Sequence, residues 1–98
     1  MPLFAWIGRD GPRGVELRAL HREEHLRGLE PLDRAGRIRF AGPLLDDAGR
    51  PAGSVIVFEA ESLAAARAVA DADAYARRGI FASWEVFETR AVFPQPKE

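Results

Sequence analysis

R-E-E-H-L-R-G-L-E-P-L-D-R-A-G-R-I-R-F-A-G-P, from Arg22 to Pro43, sets a helix, a glycine turn, a strand and a Gly-Pro stop in succession. At about 100° per residue, His25, Leu29 and Leu32 share one helical face, with Leu26 at its margin. Imidazole is the side chain suited to take up and release a proton near neutral pH. Placed at the edge of an apolar stripe, His25 is a candidate general acid or base. The plainer reading is a half-buried histidine with a satisfied hydrogen bond, and spacing alone does not separate the two.

Upstream, the helical pattern reaches back to Val15 without making one clean helix. Leu17 and Leu20 share a face rotated away from that of Leu26, Leu29 and Leu32. That predicts a short lead-in turn or a bend near His21 and Arg22. Pro31 removes one backbone hydrogen bond and crowds the preceding turn, so a kink is expected there. Gly36 offers a C-cap. Arg37 to Ala41 alternates as a strand with Ile38 and Phe40 on one face, and Gly42-Pro43 ends it or marks a bulge at a sheet edge.

Before this stretch, Leu3 to Gly8 is a short apolar run that fits a strand buried on both faces. Leu3, Ala5 and Ile7 point one way, Phe4 and Trp6 the other. R-D-G-P-R-G then reads as a loop. After it, Asp46 to Gly53 reads as a hairpin loop, and Ser54 to Glu59 is the strongest strand signal, expected at the sheet centre. Ser62 is a candidate N-cap for the helix L-A-A-A-R-A-V-A. Asp71 to Tyr75 leaves that helix, Arg78-Gly79 makes a further turn, and Ile80 to Val92 alternates again. F-P-Q-P-K-E is expected to be a frayed tail. The order is βαββαβ, which predicts an α+β ferredoxin-like plait: a four-stranded antiparallel sheet with both helices on one face. The other face keeps apolar residues, and a homodimer packed sheet to sheet is the simplest cover for it.

With 98 residues, the chain is expected to form one domain, 1–98, with a single core. Its composition, 47% hydrophobic and 30% charged, predicts a soluble globular fold rather than disorder. The net charge of −1 comes from interspersed signs, so no basic patch for nucleic acid is expected. Without cysteine there is no disulfide or thiolate chemistry. No apolar run approaches the roughly 20 residues that span a bilayer, and M-P-L-F-A-W-I-G lacks the basic start and cleavage site of a signal peptide. A cytoplasmic protein without membrane contact follows by elimination.

R-x-x-H-L, G-R-I-x-x-A-G-P, G-S before a strand, E-S-L-x-A-A and A-D-A-D-x-Y stand in this order along the chain. The set resembles the YciI-like (YCII-related) family over nearly the full length. The resemblance implies a ferredoxin-like dimer of the dimeric α+β barrel type. It also implies an active site built on a histidine and an aspartate, here His25 and Asp73, in a cleft near the dimer interface. Arg22, Gly42, Pro43 and Ser54 match other positions lining that pocket. Two departures stand out: Asp73 is followed by Ala74 where the family has proline, and Pro31 lies inside the helix. The chemistry implied for some relatives is dehydrochlorination of chlorinated hydroxyquinol-type aromatics.

A His-Asp pair suits such chemistry, because the carboxylate holds one imidazole nitrogen as N–H and leaves the other to move a proton. No cofactor is required for proton abstraction followed by loss of halide or water. Arg22, one turn before His25, can clamp an anionic oxygen or lie solvated on the surface. Ser54 can donate a hydrogen bond to substrate or simply start its strand. His21 to His25 also matches H-x-x-E-H. A catalytic zinc needs a third protein ligand, and with no further histidine in the chain no metal is expected; His21 reads as a solvated neighbour of His25. Asp46-Asp47 reads as a solvated turn. P-loop spacing and a serine nucleophile elbow are absent. The expected function is therefore a small cofactor-independent, lyase-like enzyme using His25 and Asp73 on a small aromatic or anionic molecule. The alternative is a non-catalytic dimer that binds a small molecule.

Overall fold

The computed structural model describes residues 1–95. Alternation places Phe4, Trp6 and Gly8 of β1 (Leu3–Asp10) on one sheet face and Leu3, Ala5 and Ile7 on the other. Then follow α1 (Gly14–Arg34), β2 (Ile38–Leu45), β3 (Pro51–Glu59), α2 (Leu63–Ala72), the one-turn α3 (Ala74–Arg77) and β4 (Phe81–Thr89). The strands form one sheet in the order β2-β3-β1-β4, with every pair antiparallel. This is the expected ferredoxin-like plait, with β3 central and α3 added between α2 and β4.

One face of the sheet supplies the core. Phe4, Trp6, Ile56, Phe58 and Val86 lie there and pack with Leu29, Ala66, Ala70, Tyr75 and Phe81. Trp6 meets Phe58 and Phe81 edge-on, with ring centroids 6.3 and 6.4 Å apart, the arrangement aromatic quadrupoles favour. Across the opposite face, the strand registers align Phe40, Val57, Ala5 and Phe87 in one row, an apolar residue from each strand. Its outer members, Phe40 and Phe87, are 56% and 50% exposed.

Several expectations are corrected. Val15 to Ala35 does not divide into two pieces: α1 is one helix of 21 residues with Pro31 inside it. Proline is tolerated there because it falls in the last turn, where only one ladder bond is forfeited. Gly36, with φ of +69°, takes the left-handed position beyond the helix, and Gly36 N–H and Arg37 N–H bond back to the carbonyls of Asp33 and Leu32, closing the end as a Schellman motif. Leu20 and Leu26 do not define the buried stripe, being 72% and 41% exposed. Gly14, His25 and Leu29 are buried there, with Leu17, Arg18, His21 and Leu32 half-buried.

Ile38 and Phe40 do not share a face. Ile38 pairs with Phe58, but a bulge at Arg39 brings Phe40 opposite Val57. One extra residue reverses the alternation. Gly42-Pro43 does not end β2, which runs to Leu45 as an edge strand, where a proline costs little. The hairpin loop is shorter than expected, since Pro51 to Gly53 already belong to β3. Asp71 and Ala72 remain in α2, and β4 stops at Thr89 rather than Val92. Phe93 to Gln95 form no helix or strand, and the rest of the expected tail, 96–98, lies outside the described residues. Among the described residues no helix is long and apolar enough to cross a membrane.

Candidate active site

His25 projects from the buried face of α1 onto Asp73. Its Nδ1 lies 2.9 and 2.8 Å from the two carboxylate oxygens. Asp73 sits between two helices in extended conformation, φ −65° and ψ 146°, ending α2 and starting α3. Its Oδ2 also accepts the Tyr75 N–H at 2.9 Å, as an N-cap. That bond fixes the carboxylate where Ala74 replaces the expected proline. Ala74 is the first residue of α3, a helix position that accepts proline. Both His25 and Asp73 are buried. With the carboxylate accepting at Nδ1, that nitrogen carries hydrogen and Nε2 is left to exchange a proton.

Tyr75 stacks flat on His25, with ring centroids 3.9 Å apart and planes at 5°. The guanidinium of Arg18 lies over the same tyrosine ring, 5.0 Å from its centroid. Imidazole already covers one ring face, so Arg18 takes the other, two helical turns back along α1. Burial pushes the Tyr75 phenol above its ordinary value, opposed by the cations of Arg18 and Arg22. Arg18 is itself held from the end of β1: its Nε and Nη2 donate to Asp10 at 2.6 and 2.9 Å. Nη2 also donates to Ser54 Oγ at 3.0 Å. Space for Asp10 comes from Gly14, where a Cβ would stand 2.5 Å from Asp10 Oδ2.

Between α1 and the β2–β3 half of the sheet opens a cavity of about 390 Å³. Five of the residues singled out in the sequence line it: Arg22, His25, Gly42, Pro43 and Ser54. The sixth, Asp73, stands behind His25. Leu26, Leu29 and Ile56 give the cavity an apolar wall, and Arg18 and Tyr75 join its lining. Arg22 is exposed and makes no hydrogen bond or ion pair among the described residues. A smaller hollow of about 290 Å³ against α2 and β4 contains none of the singled-out residues.

The other histidine points elsewhere: His21 Nδ1 lies 3.9 Å from Glu24 Oε1. Glu24 in turn receives Arg77 and Arg78, tying α1 to α3. Among the described residues no three His, Cys, Asp or Glu side chains cluster. Asp46 closes its own turn by accepting the N–H groups of Ala48 and Arg50.

Sequence reasoning missed Asp10, Arg18 and Tyr75. A signal was present for Arg18, which stands seven residues before His25 and therefore on the same helical face. The family model of the YCII-related domain matches residues 2–90. This chain belongs to the YCII-related family. Protein YciI of Escherichia coli O6:H1 (strain CFT073) is 35% identical, over 93% of this chain and 99% of its own. An uncharacterized protein of Haemophilus influenzae is 33% identical, over 92% and 98%. Among solved structures, 5-chloro-2-hydroxyhydroquinone dehydrochlorinase from Burkholderia phenoliruptrix AC1100, in complex with 2,5-dihydroxybenzoquinone, aligns with a TM-score of 0.79 at 29% identity, covering 90% of this chain and 93% of that one. A NIPSNAP family protein from Agrobacterium tumefaciens, at 18% identity and a TM-score of 0.55 over 98% and 97% of the two chains, shares the fold alone.

Proposed function

We propose that this YCII-related chain is a small acid–base enzyme that eliminates halide or water from a ring-sized molecule without a cofactor. The observation that carries the reading is the buried pair, His25 Nδ1 at 2.8 Å from Asp73, with His25 on the wall of a cavity of about 390 Å³. In this reading Nε2 takes a proton from the substrate, and the electron pair left behind expels chloride or hydroxide. Asp73 keeps Nδ1–H in place and offsets the charge of the imidazolium that forms. Arg22, without a partner among the described residues and on the cavity lining, attracts an anionic oxygen, while Gly42 and Pro43 shape the opposite wall. The likeness to a dehydrochlorinase supports this class of reaction.

The site is proposed to work within a homodimer. The row Phe40, Val57, Ala5 and Phe87 is the natural contact, and Phe40→Glu with Phe87→Glu should give a monomer by sedimentation.

The test of function is chloride release from 5-chloro-2-hydroxyhydroquinone, beside binding of 2,5-dihydroxybenzoquinone. His25→Ala should lose at least about a hundredfold in turnover, the scale of a lost general base, yet keep its affinity. A wild-type chain that binds the quinone and releases no chloride is instead the non-catalytic binding dimer.

A further inference from the structure

We infer that Glu24, Arg77 and Arg78 form a clasp on the outside of the molecule that holds Asp73 against His25, which makes them positioning residues of the acid–base pair. The consequence for chemistry rests on the acid–base reading; the geometry does not. Glu24 immediately precedes His25 on α1, and at about 100° per residue the two side chains leave the helix on different sides. His25 reaches inward to Asp73, at 2.8 Å. Glu24 reaches the outer flank of α3. Its Oε2 accepts from Arg77 Nη2 at 3.1 Å and Arg78 Nη2 at 3.3 Å, and its Oε1 accepts from Arg78 Nε at 3.2 Å. Arg77 Nε also donates at 3.0 Å to the carbonyl of Ala72, the residue before Asp73. The clasp thus grips the chain one residue before each member of the buried pair.

Asp73 is poorly held by its own surroundings in the chain. It is the extended junction between α2 and α3, and α3 is a single turn of four residues, too short to stand on its own hydrogen bonds. Tyr75 N–H bonds to Asp73 Oδ2, Arg78 N–H to the Ala74 carbonyl and Ile80 N–H to the Tyr75 carbonyl. These bonds shape the turn, but they run within it and do not dock it on α1. Among the described residues, hydrogen bonds from this segment to α1 are of two kinds only: Asp73 with His25, and Arg77 and Arg78 with Glu24. A buried bond and an exposed bracket hold one short turn from inside and outside.

A lone exposed ion pair contributes little. Here one carboxylate takes three hydrogen bonds from two guanidiniums, the networked case in which exposed charges do count. The hydrogen bond from Arg78 is the main cause holding the Glu24 carboxyl below its ordinary value, and the charges of Arg78, Arg77 and His21 add to it. The clasp does not have to stabilise the whole fold. It makes separation of the turn from α1 rarer, and each separation frees Nδ1–H from Asp73 and lets the imidazole take the wrong tautomer.

The experiment is exchange with solvent of the His25 Nδ1–H, followed by NMR, since that proton leaves only when its bond to Asp73 opens. Glu24→Ala, and Arg77→Ala combined with Arg78→Ala, should each speed the exchange about fivefold, the scale of an exposed ion-pair network. The amides of β3 should exchange as in the wild type. The triple variant should be no faster than either, because all three changes break one contact. A direct field effect on His25 would run in opposite directions, since the first variant removes a negative charge and the second removes positive ones. Glu30→Ala, which breaks a pair with Arg34 inside α1, should leave the exchange unchanged. Unchanged exchange in both clasp variants, shifts of opposite sign, or equal acceleration of the β3 amides overturns the clasp and leaves the acid–base reading intact. Failure of the wild-type chain to release chloride overturns that reading instead, whatever the exchange shows.

Discussion

The same sheet face is covered by two helices of opposite chemistry. Beneath α2 the contact is small and apolar, Ala66 and Ala70 against the cluster of Phe4, Trp6 and Phe58. Beneath α1 it is a polar seam of residues buried or nearly so, hydrogen-bonded in two sets: Arg18 with Asp10 and Ser54, and His25 with Asp73. The first region does what a core does, removing apolar surface from water. The second desolvates charges, and replacing such a seam by hydrocarbon would usually cost a protein nothing in stability. Its presence under a helix that could have been leucine-lined accords with the acid–base role proposed for the cavity.

The largest effect expected is in the apolar half. Phe58→Ala removes a fully buried ring and should cost about 4 kcal/mol in chemical denaturation. A loss below about 1 kcal/mol would mean that this half is not the stabilising one.

Next comes the seam. Asp10→Ala leaves Arg18 without its partner and should cost about 3 kcal/mol. Asp10→Leu combined with Arg18→Met should restore most of that stability. If the apolar pair instead remains as unstable as Asp10→Ala, the contrast between the two regions fails, because the seam would then hold the fold together.

Ser62→Ala probes the apolar half at its edge. The Ser62 hydroxyl accepts the Ala65 N–H at 3.0 Å, and its loss should lower stability by about 1 kcal/mol without altering binding. A change in quinone affinity there would show that α2 does communicate with the seam.

The smallest effect is silent at neutral pH. Tyr75 is the one tyrosine of the chain, and burial raises its phenol above the ordinary value. The unfolded chain ionises near pH 10 while the folded chain still holds the proton. The unfolded state then binds fewer protons, so stability falls as pH rises from that region through the higher folded value. Tyr75→Phe should lose less Tm than the wild type between pH 9 and 11. Parallel slopes would place the phenol in water, outside the seam.

The order of elements was legible because each signal is local. Alternation marks strands, a 3.6-residue period marks helices, and Ser62, Gly36 and Gly79 mark ends without reference to anything distant. His25 was a candidate from its place on the helical face, whereas Asp73, Arg22, Gly42, Pro43 and Ser54 were reached through the family resemblance. The structure places all but Asp73 around one cavity, with Asp73 at the back of His25. Their roles in that cavity are what the experiments above address.

Other features had no local signal. Read from leucines alone, Leu17 and Leu20 predict a break in α1, whereas the buried stripe continues through Arg18, His21 and His25. A polar residue becomes part of a buried face only when a partner elsewhere satisfies it. Those partners are remote in sequence: Asp73 is 48 residues from His25, and Ser54 is 36 from Arg18. Likewise the bulge at Arg39, which turns Phe40 to the open face, depends on register against β3. The sequence alone determined which segments are strands and helices and in what order. Tertiary structure decided which side of α1 is inside and which remote partners satisfy its polar residues, since burial and hydrogen bonding depend on neighbours that only folding brings together.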